Sequence, residues 1–207
     1  MSRAAALRAV FACALAATLM LGAACARAAP PVRDGDLIFH ASRSAQSLAV
    51  QRATGSRYSH MGVVLHRGGR AYVFEAVEPV RYTPLDAWIA RGQGGHYVLK
   101  RLRQPPDAAQ AQRLLAQAER VRGKRYDLAF GWSDDRLYCS ELAYKLFDRA
   151  MGVRIGKLQR LGDFRLDDPA VKAKLRERYG ARVPLGETVV SPAAMFDSPL
   201  LETVVSG

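Results

Sequence analysis

Past residue 35 the chain carries short apolar blocks separated by Gly and Pro, and helix-period spacing dominates only after Pro106. Asp36 to His40 reads as a short strand entered through Asp34-Gly35. Ser44 to Ala53 spaces Ala45, Leu48, Ala49 and Ala53 as a short helix does, and Gly55 closes it. His60 to His66 and Ala71 to Val77 are rich in Val, Phe and Tyr and are joined by Arg67-Gly68-Gly69-Arg70, where Gly-Gly signals a two-residue hairpin loop. Arg81 to Thr83 extends briefly, Pro84 opens a helical turn through Trp88 and Ile89, and Tyr97 to Leu102 is a further strand stopped by Pro105-Pro106. A helix from Asp107 to Arg122 buries Ala108, Ala111, Leu114, Leu115, Ala118 and Val121, and stops at Gly123. A second begins near Cys139, with Leu142, Ala143, Leu146, Phe147 and Ala150 as its apolar stripe and Gly152 as its stop. A polar helix spans about Pro169 to Tyr179, and Ser191-Pro192 caps a last short one. The pattern predicts an α+β fold, a small antiparallel sheet with helices gathered before and after it.

The first 28 residues differ in kind. Arg3 and Arg8 precede an apolar run from Ala9 to Ala24, and no acidic residue occurs before Asp34. This reads as a secretory signal, with Ala26-Arg27-Ala28 as the cleavage site and a mature, periplasmic chain from Ala29. The competing reading, lipidation at Cys25, wants a large aliphatic residue three positions earlier, where Gly22 stands. The apolar run falls short of the roughly 20 residues of a membrane span. Residues 29–207 then suit one domain, since single domains run to about 100–200 residues. A composition of 49% hydrophobic and 24% charged residues is that of an ordinary folded protein, so disorder is not the default expectation.

Cleavage removes three arginines and no acid, lowering the formal charge from +12 to +9. For an exported chain the anionic partners to expect are a membrane surface or a wall polymer, alongside the plain reading of a solvated basic surface. The scattered Lys and Arg form no nucleic-acid motif, so no nucleic acid is expected. Cleavage also removes Cys13 and Cys25 and leaves Cys139 alone, so no internal disulfide forms.

Cys139 lies in Tyr138-Cys139-Ser140-Glu141, after the polar loop Ser133-Asp134-Asp135 and in the first turn of a helix. Free amides and the positive end of the helix dipole favour thiolate there and can hold an oxyanion. The plain alternative is a small buried core cysteine. Of the four histidines, His40, His66 and His96 read as solvated strand-end residues, while His60 opens a hairpin strand with Gly62 leaving its face open. No His-x-x-x-His, cysteine pair or ligand cluster occurs, so neither a metal nor another cofactor is expected.

A two-residue Gly68-Gly69 loop sets Arg67 opposite Arg70, Gly62 opposite Glu75 and His60 opposite Val77. Side chains alternate along a strand, so His60, Gly62, Glu75 and Val77 share one face, and Glu78 projects from the other. His60 and Glu75 are then diagonal neighbours about 7–8 Å apart at the backbone, within reach of a carboxylate-to-imidazole contact.

Gly35-Asp36, Tyr58-Ser59-His60, Phe74-Glu75-Ala76-Val77, Tyr82-Thr83-Pro84-Leu85, Gly123-Lys124 with Tyr126-Asp127, Trp132 to Arg136, Tyr138-Cys139-Ser140-Glu141 and Val189-Val190-Ser191-Pro192 together resemble the YiiX family. These are permuted papain-like cysteine hydrolases of the NlpC-type superfamily, in which the histidine strand precedes the cysteine helix. The resemblance spans nearly all of residues 29–207. It implies a circularly permuted papain-like fold and a Cys139, His60, Glu75 triad cleaving an amide or ester through a thioester. It implies Tyr126, against the plain reading of a core aromatic, and Ser140 as oxyanion or substrate-side residues. Cell-wall peptide and acylated lipid both remain as substrates, and a non-catalytic wall- or lipid-binding module remains as the other class of function.

Overall fold

Gly68 and Gly69 adopt φ of 55° and 77°, the two positive values that a tight hairpin loop needs and that glycine reaches without steric cost. The strands on either side of them organise the molecule. The computed structural model describes residues 32–207; the expected signal peptide, its cleavage site and Cys25 lie outside the described residues. In chain order the elements are β1 (Leu37–His40), α1 (Ala45–Thr54), β2 (His60–Arg67), β3 (Arg70–Glu75), β4 (Arg81–Pro84), α2 (Leu85–Ala90), β5 (Val98–Leu102) and α3 (Ala108–Val121). There follow β6 (Arg125–Tyr126), β7 (Arg136–Leu137), α4 (Cys139–Met151), β8 (Gln159–Arg160), α5 (Pro169–Tyr179), β9 (Thr188–Val189), α6 (Pro192–Phe196) and β10 (Leu201–Ser206).

The main sheet runs β10-β5-β1-β2-β3-β4, antiparallel throughout. In the hairpin Arg67 pairs with Arg70 and Val63 with Phe74, the register that a two-residue loop dictates. Alternation then sorts the side chains. Leu37, Phe39, Met61, Val63 and Phe74 join Leu114 and Ala118 of α3 and Leu142, Leu146 and Phe147 of α4 in the larger core. Ile38, Val64, Val73 and Leu99 pack with Leu85 and Trp88 of α2 on the opposite face. Each such fully buried large side chain contributes about 1.5–3 kcal/mol.

Helix limits follow their caps. Ser44 accepts from Ser47 N at 3.0 Å, Asp107 and Gln110 form a reciprocal capping box, and Ser191 accepts from Ala194 N. Gly55 and Gly152 end α1 and α4 in the left-handed conformation.

The structure departs from the sequence reading in three places. β3 ends at Glu75, so the expected strand through Val77 and the His60–Val77 pair do not form. The C-terminal segment forms β10, an edge strand on β5 in which Glu202 and Thr203 are both exposed, so its apolar pattern is weak. Helix α4 is buried far beyond its apolar stripe: Glu141 and Lys145 are buried too, because the loop between β6 and β7 covers them. Lys145 Nζ donates to Glu141 Oε1 (2.7 Å), Ser133 O (2.7 Å) and Asp134 Oδ1 (3.0 Å), and lies over the Trp132 ring. Arg149 clamps Asp134 with two further bonds. The chain entering Cys139 is thereby pinned to the helix that Cys139 begins. Among the described residues no helix is long and apolar enough to cross a membrane.

Candidate active site

The site forms where the start of β2 meets the N-terminus of α4. His60 is the first residue of β2 and Glu75 the last of β3, and His60 Nε2 donates to Glu75 Oε2 at 2.7 Å. Gly62 permits this approach: a Cβ there would stand 2.3 Å from Val73 Cγ1 and 2.9 Å from the Phe74 carbonyl oxygen. Glu75 is fully buried, which is costly for a carboxylate unless every oxygen is partnered. Four donors meet that need. Oε2 also accepts from Trp88 Nε1 (2.9 Å), and Oε1 accepts from Thr83 Oγ1 (2.6 Å) and from Arg91 Nη2. Burial opposes ionisation, but the His60 bond and charge, the Thr83 bond and the Arg91 charge outweigh it and hold the Glu75 carboxyl down at about 2.

With Nε2 given to Glu75, the other imidazole nitrogen is left for Cys139. Burial disfavours a charged His60, yet its hydrogen bonds to Cys139 and Glu75, and the charges behind them, raise it to about 9. The contacts to Cys139 and Glu75 thus favour the charged form of the imidazole that lies between them. Cys139 is 5% exposed and opens α4, where first-turn amides lack intrahelical partners. Its neighbours fix it in place. Val190 N donates to Tyr138 Oη (3.0 Å), Ser140 Oγ donates to Val190 O (2.7 Å), and Tyr138 N donates to Glu141 Oε2 (3.2 Å). Tyr138 and Ser140, on either side of Cys139, thus grip both backbone polar groups of Val190.

Ser140 is fully buried, and its hydroxyl proton goes to Val190, so the side chain is spent on holding the fold beside Cys139. Tyr126 lines an apolar pocket together with Cys139, Gln46, Val50, Phe130 and Phe164. This pocket encloses about 90 Å³ and shares Ala53, Thr54, Phe164 and Ser191 with a wider groove of about 690 Å³. Phe130, with φ of 49°, is the one non-glycine at positive φ among the described residues. The Asp127 carboxylate accepts from Ala129 N and Gly131 N, both at 2.8 Å, and holds the turn that aims Phe130 into the pocket.

His40 corrects the expectation of a solvated strand end. It is 2% exposed, pairs with His60 across β1 and β2, and stacks on Trp88 with ring centroids 3.9 Å apart. Burial, then the charges of His60 and Arg91, push its pKa down to about 3, so it stays neutral beside the charged His60. His66 pairs with Asp34 at 2.7 Å, away from the site, and His96 is half-buried rather than solvated. The sequence reading missed Thr83, Trp88 and Arg91 as partners of Glu75, and Gln46 in the pocket wall. Tyr82-Thr83-Pro84-Leu85 was singled out only as a shared motif, without the hydrogen bond behind it. Among the described residues no group of three or more His, Cys, Asp or Glu stands where it could hold a metal ion.

Comparison with known proteins adds to this geometry. The family model described as "Permuted papain-like amidase enzyme, YaeF/YiiX, C92 family" matches residues 31–205. The "Uncharacterized protein YiiX" of Escherichia coli (strain K12) is 53% identical over 170 residues, 82% of this chain and 84% of that protein. The crystal structure of "metalloprotein yiiX" from Escherichia coli O157:H7 is 52% identical, with a TM-score of 0.82 over 84% of this chain and 97% of that one.

Proposed function

The chain belongs to the permuted papain-like amidases of the YaeF/YiiX, C92 family, and from that premise we propose that it is an exported amidase that cleaves amides of apolar acyl groups, with Cys139 as nucleophile. The Cys139 thiolate adds to the carbonyl carbon, and the C=O electron pair moves to oxygen. As the tetrahedral intermediate collapses, the C–N bond breaks and His60 gives its proton to the departing amine. The neutral imidazole then takes a proton from water, whose oxygen attacks the thioester; the C–S bond breaks and the thiolate–imidazolium pair returns. Glu75 keeps His60 oriented and stabilises its charged form, and Tyr126 with the first-turn amides of α4 faces the developing oxyanion.

The apolar pocket beside Cys139 carries the choice of substrate. Stem peptides of the cell wall bear carboxylates and amines, and sinking these among Val50, Phe130 and Phe164 would strip them of water with no charged partner in the pocket lining. An aliphatic acyl chain meets no such penalty. About 90 Å³ is well under the roughly 150 Å³ that takes up benzene, so only a short acyl group sits inside, and the adjoining groove, where Arg154, Lys157, Asp163 and Arg165 stand beside Ala194 and Leu200, suits a polar remainder of the substrate. Export is supported by the residue pattern of positions 1–28, and the +9 charge that remains suits an anionic membrane surface, where acylated lipids reside.

One relative is named a metalloprotein. The residues here do not fit a resident metal ion. Cys139 and His60 are two donors, and both Glu75 oxygens are already filled by four hydrogen-bond donors. No step of the mechanism uses a metal.

A product screen by mass spectrometry, offering N-acyl amides of graded chain length, lysophospholipids and muropeptides to the protein and to Cys139→Ala, tests the reading. Free fatty acid and amine should appear from the N-acyl amides with the wild-type protein alone. Cleavage confined to muropeptides would overturn the acyl assignment.

A further inference from the structure

Gln46 has no role in the chemistry above, yet its side chain meets one of the groups that does. Its Nε2 donates to Tyr126 Oη at 2.7 Å, and both residues line the pocket that holds Cys139. A phenol oxygen that accepts from one side must send its own proton elsewhere. Burial, then the charge at Cys139, push the Tyr126 pKa upward, so the phenol keeps that proton. Both partners are held from behind. Gln46 sits in the first turn of α1 next to Ser47, whose Oγ lies 2.5 Å from Ser59 Oγ and accepts from Gln51 Nε2 and Ser42 N. Ser59 immediately precedes His60, so α1 is tied to the strand that carries the histidine. Tyr126 pairs with Leu137, two residues before Cys139, and its N–H donates to Glu78 Oε2 at 3.0 Å.

We propose that Gln46 is a positioning residue that acts through Tyr126: its amide N–H, donated to Oη, turns the phenol proton toward the substrate carbonyl oxygen and makes Tyr126 the side-chain half of the oxyanion site. The chain N–H to O–H to oxyanion is also cooperative, since accepting from Gln46 polarises the phenol into a better donor. No proton transfers; the phenol only donates a hydrogen bond as charge builds on the carbonyl oxygen. This inference rests on the acyl-transfer reading of the site.

The test compares Gln46→Met, Gln46→Glu, Tyr126→Phe and the Gln46→Met/Tyr126→Phe double variant on an N-acyl amide and on the p-nitrophenyl ester of the same acyl group. Iodoacetamide labelling of Cys139 is read in parallel as a check on fold and nucleophile. Tyr126→Phe should lower kcat by about 10²-fold, the scale of losing one oxyanion donor, and Gln46→Met by about 10-fold, with KM within about 3-fold and labelling unchanged. The double variant should be no slower than Tyr126→Phe, because Gln46 has no other route to the reaction. Gln46→Glu should be worse than Gln46→Met, since a carboxylate draws the phenol proton to itself, and should recover as that carboxylate protonates in acid. Full additivity in the double variant, or Gln46→Glu working as well as wild type, would overturn the proposal while leaving the acyl-transfer reading intact. Absence of turnover by the wild-type protein on both substrates would instead count against that reading, and this one with it.

Discussion

His60 opens β2 and Glu75 closes β3, and the hairpin between them brings Nε2 and Oε2 to 2.7 Å on one face of the sheet. Glu75→Gln should therefore lower kcat/KM by about 10²–10⁴-fold, the range for losing the carboxylate that orients a catalytic histidine. The fold should persist, because, of the two cations left behind, Arg91 is 39% exposed and can be hydrated, and His60 can give up its proton. Steady-state kinetics beside a thermal melt check both parts, and activity within 3-fold of wild type would remove Glu75 from the mechanism.

The same contact sets a pH dependence. His60 is raised from 6.5 to about 9, so the proton that the proposed mechanism gives to the leaving amine is lost above that pH. The rate should fall about 10-fold per pH unit beyond about 9, and in Glu75→Gln this limb should move toward acid. The raised pKa stabilises the fold below pH 6.5, and that contribution disappears as pH rises through 9. Glu75, held near 2, contributes above pH 4.5 and loses its contribution as pH falls toward 2. The melting-temperature gap between wild type and His60→Ala should be widest between these windows.

How much of this was legible in the sequence depended on distance along the chain. Gly68-Gly69 admits one tight loop, a tight loop admits one register, and the register puts His60, Gly62 and Glu75 on a common face. The partners that make a buried Glu75 tolerable come from β4, α2 and the turn after it, and no local pattern in Thr83, Trp88 or Arg91 signals their convergence. His40 was misread for the same reason: its position at a strand end suggests solvent, while a tryptophan 48 residues away covers it. Strand β10 escaped notice because it pairs on one side only and, of its residues, Leu201 alone is buried, which leaves little apolar pattern to read.

Ser140→Ala should lower stability by about 1 kcal/mol, the usual worth of one hydrogen bond, and leave turnover within about 3-fold. Its hydroxyl serves Val190, and its backbone N–H is unchanged by the substitution. Denaturant unfolding and steady-state kinetics separate the two effects. A large loss of kcat without destabilisation would place the hydroxyl on substrate instead.

Lys145→Met should destabilise by about 3–5 kcal/mol above pH 7, because it strands Glu141 as a buried charge. Burial already pushes Glu141 up to about 7 despite the Lys145 bond, and removing Lys145 raises it further. The variant can then protonate Glu141 in acid, so the loss should shrink at pH 5.5. Wild type shows the same sign more weakly: a carboxyl raised in the folded state gives up stability as pH climbs from 4.5 through 7. Urea unfolding of both proteins at pH 5.5 and 8.5 checks this, and an equal loss at the two values would contradict it.

The central claim, a Cys139 thiolate paired with a protonated His60, is tested most directly by the rate at which iodoacetamide alkylates Cys139 at pH 6. The ion pair predicts a rate at least about 10-fold above that of free cysteine at this pH, falling to the free-cysteine rate in His60→Ala. Alkylation no faster than free cysteine in the wild-type protein, or a fast rate untouched by His60→Ala, would contradict the account.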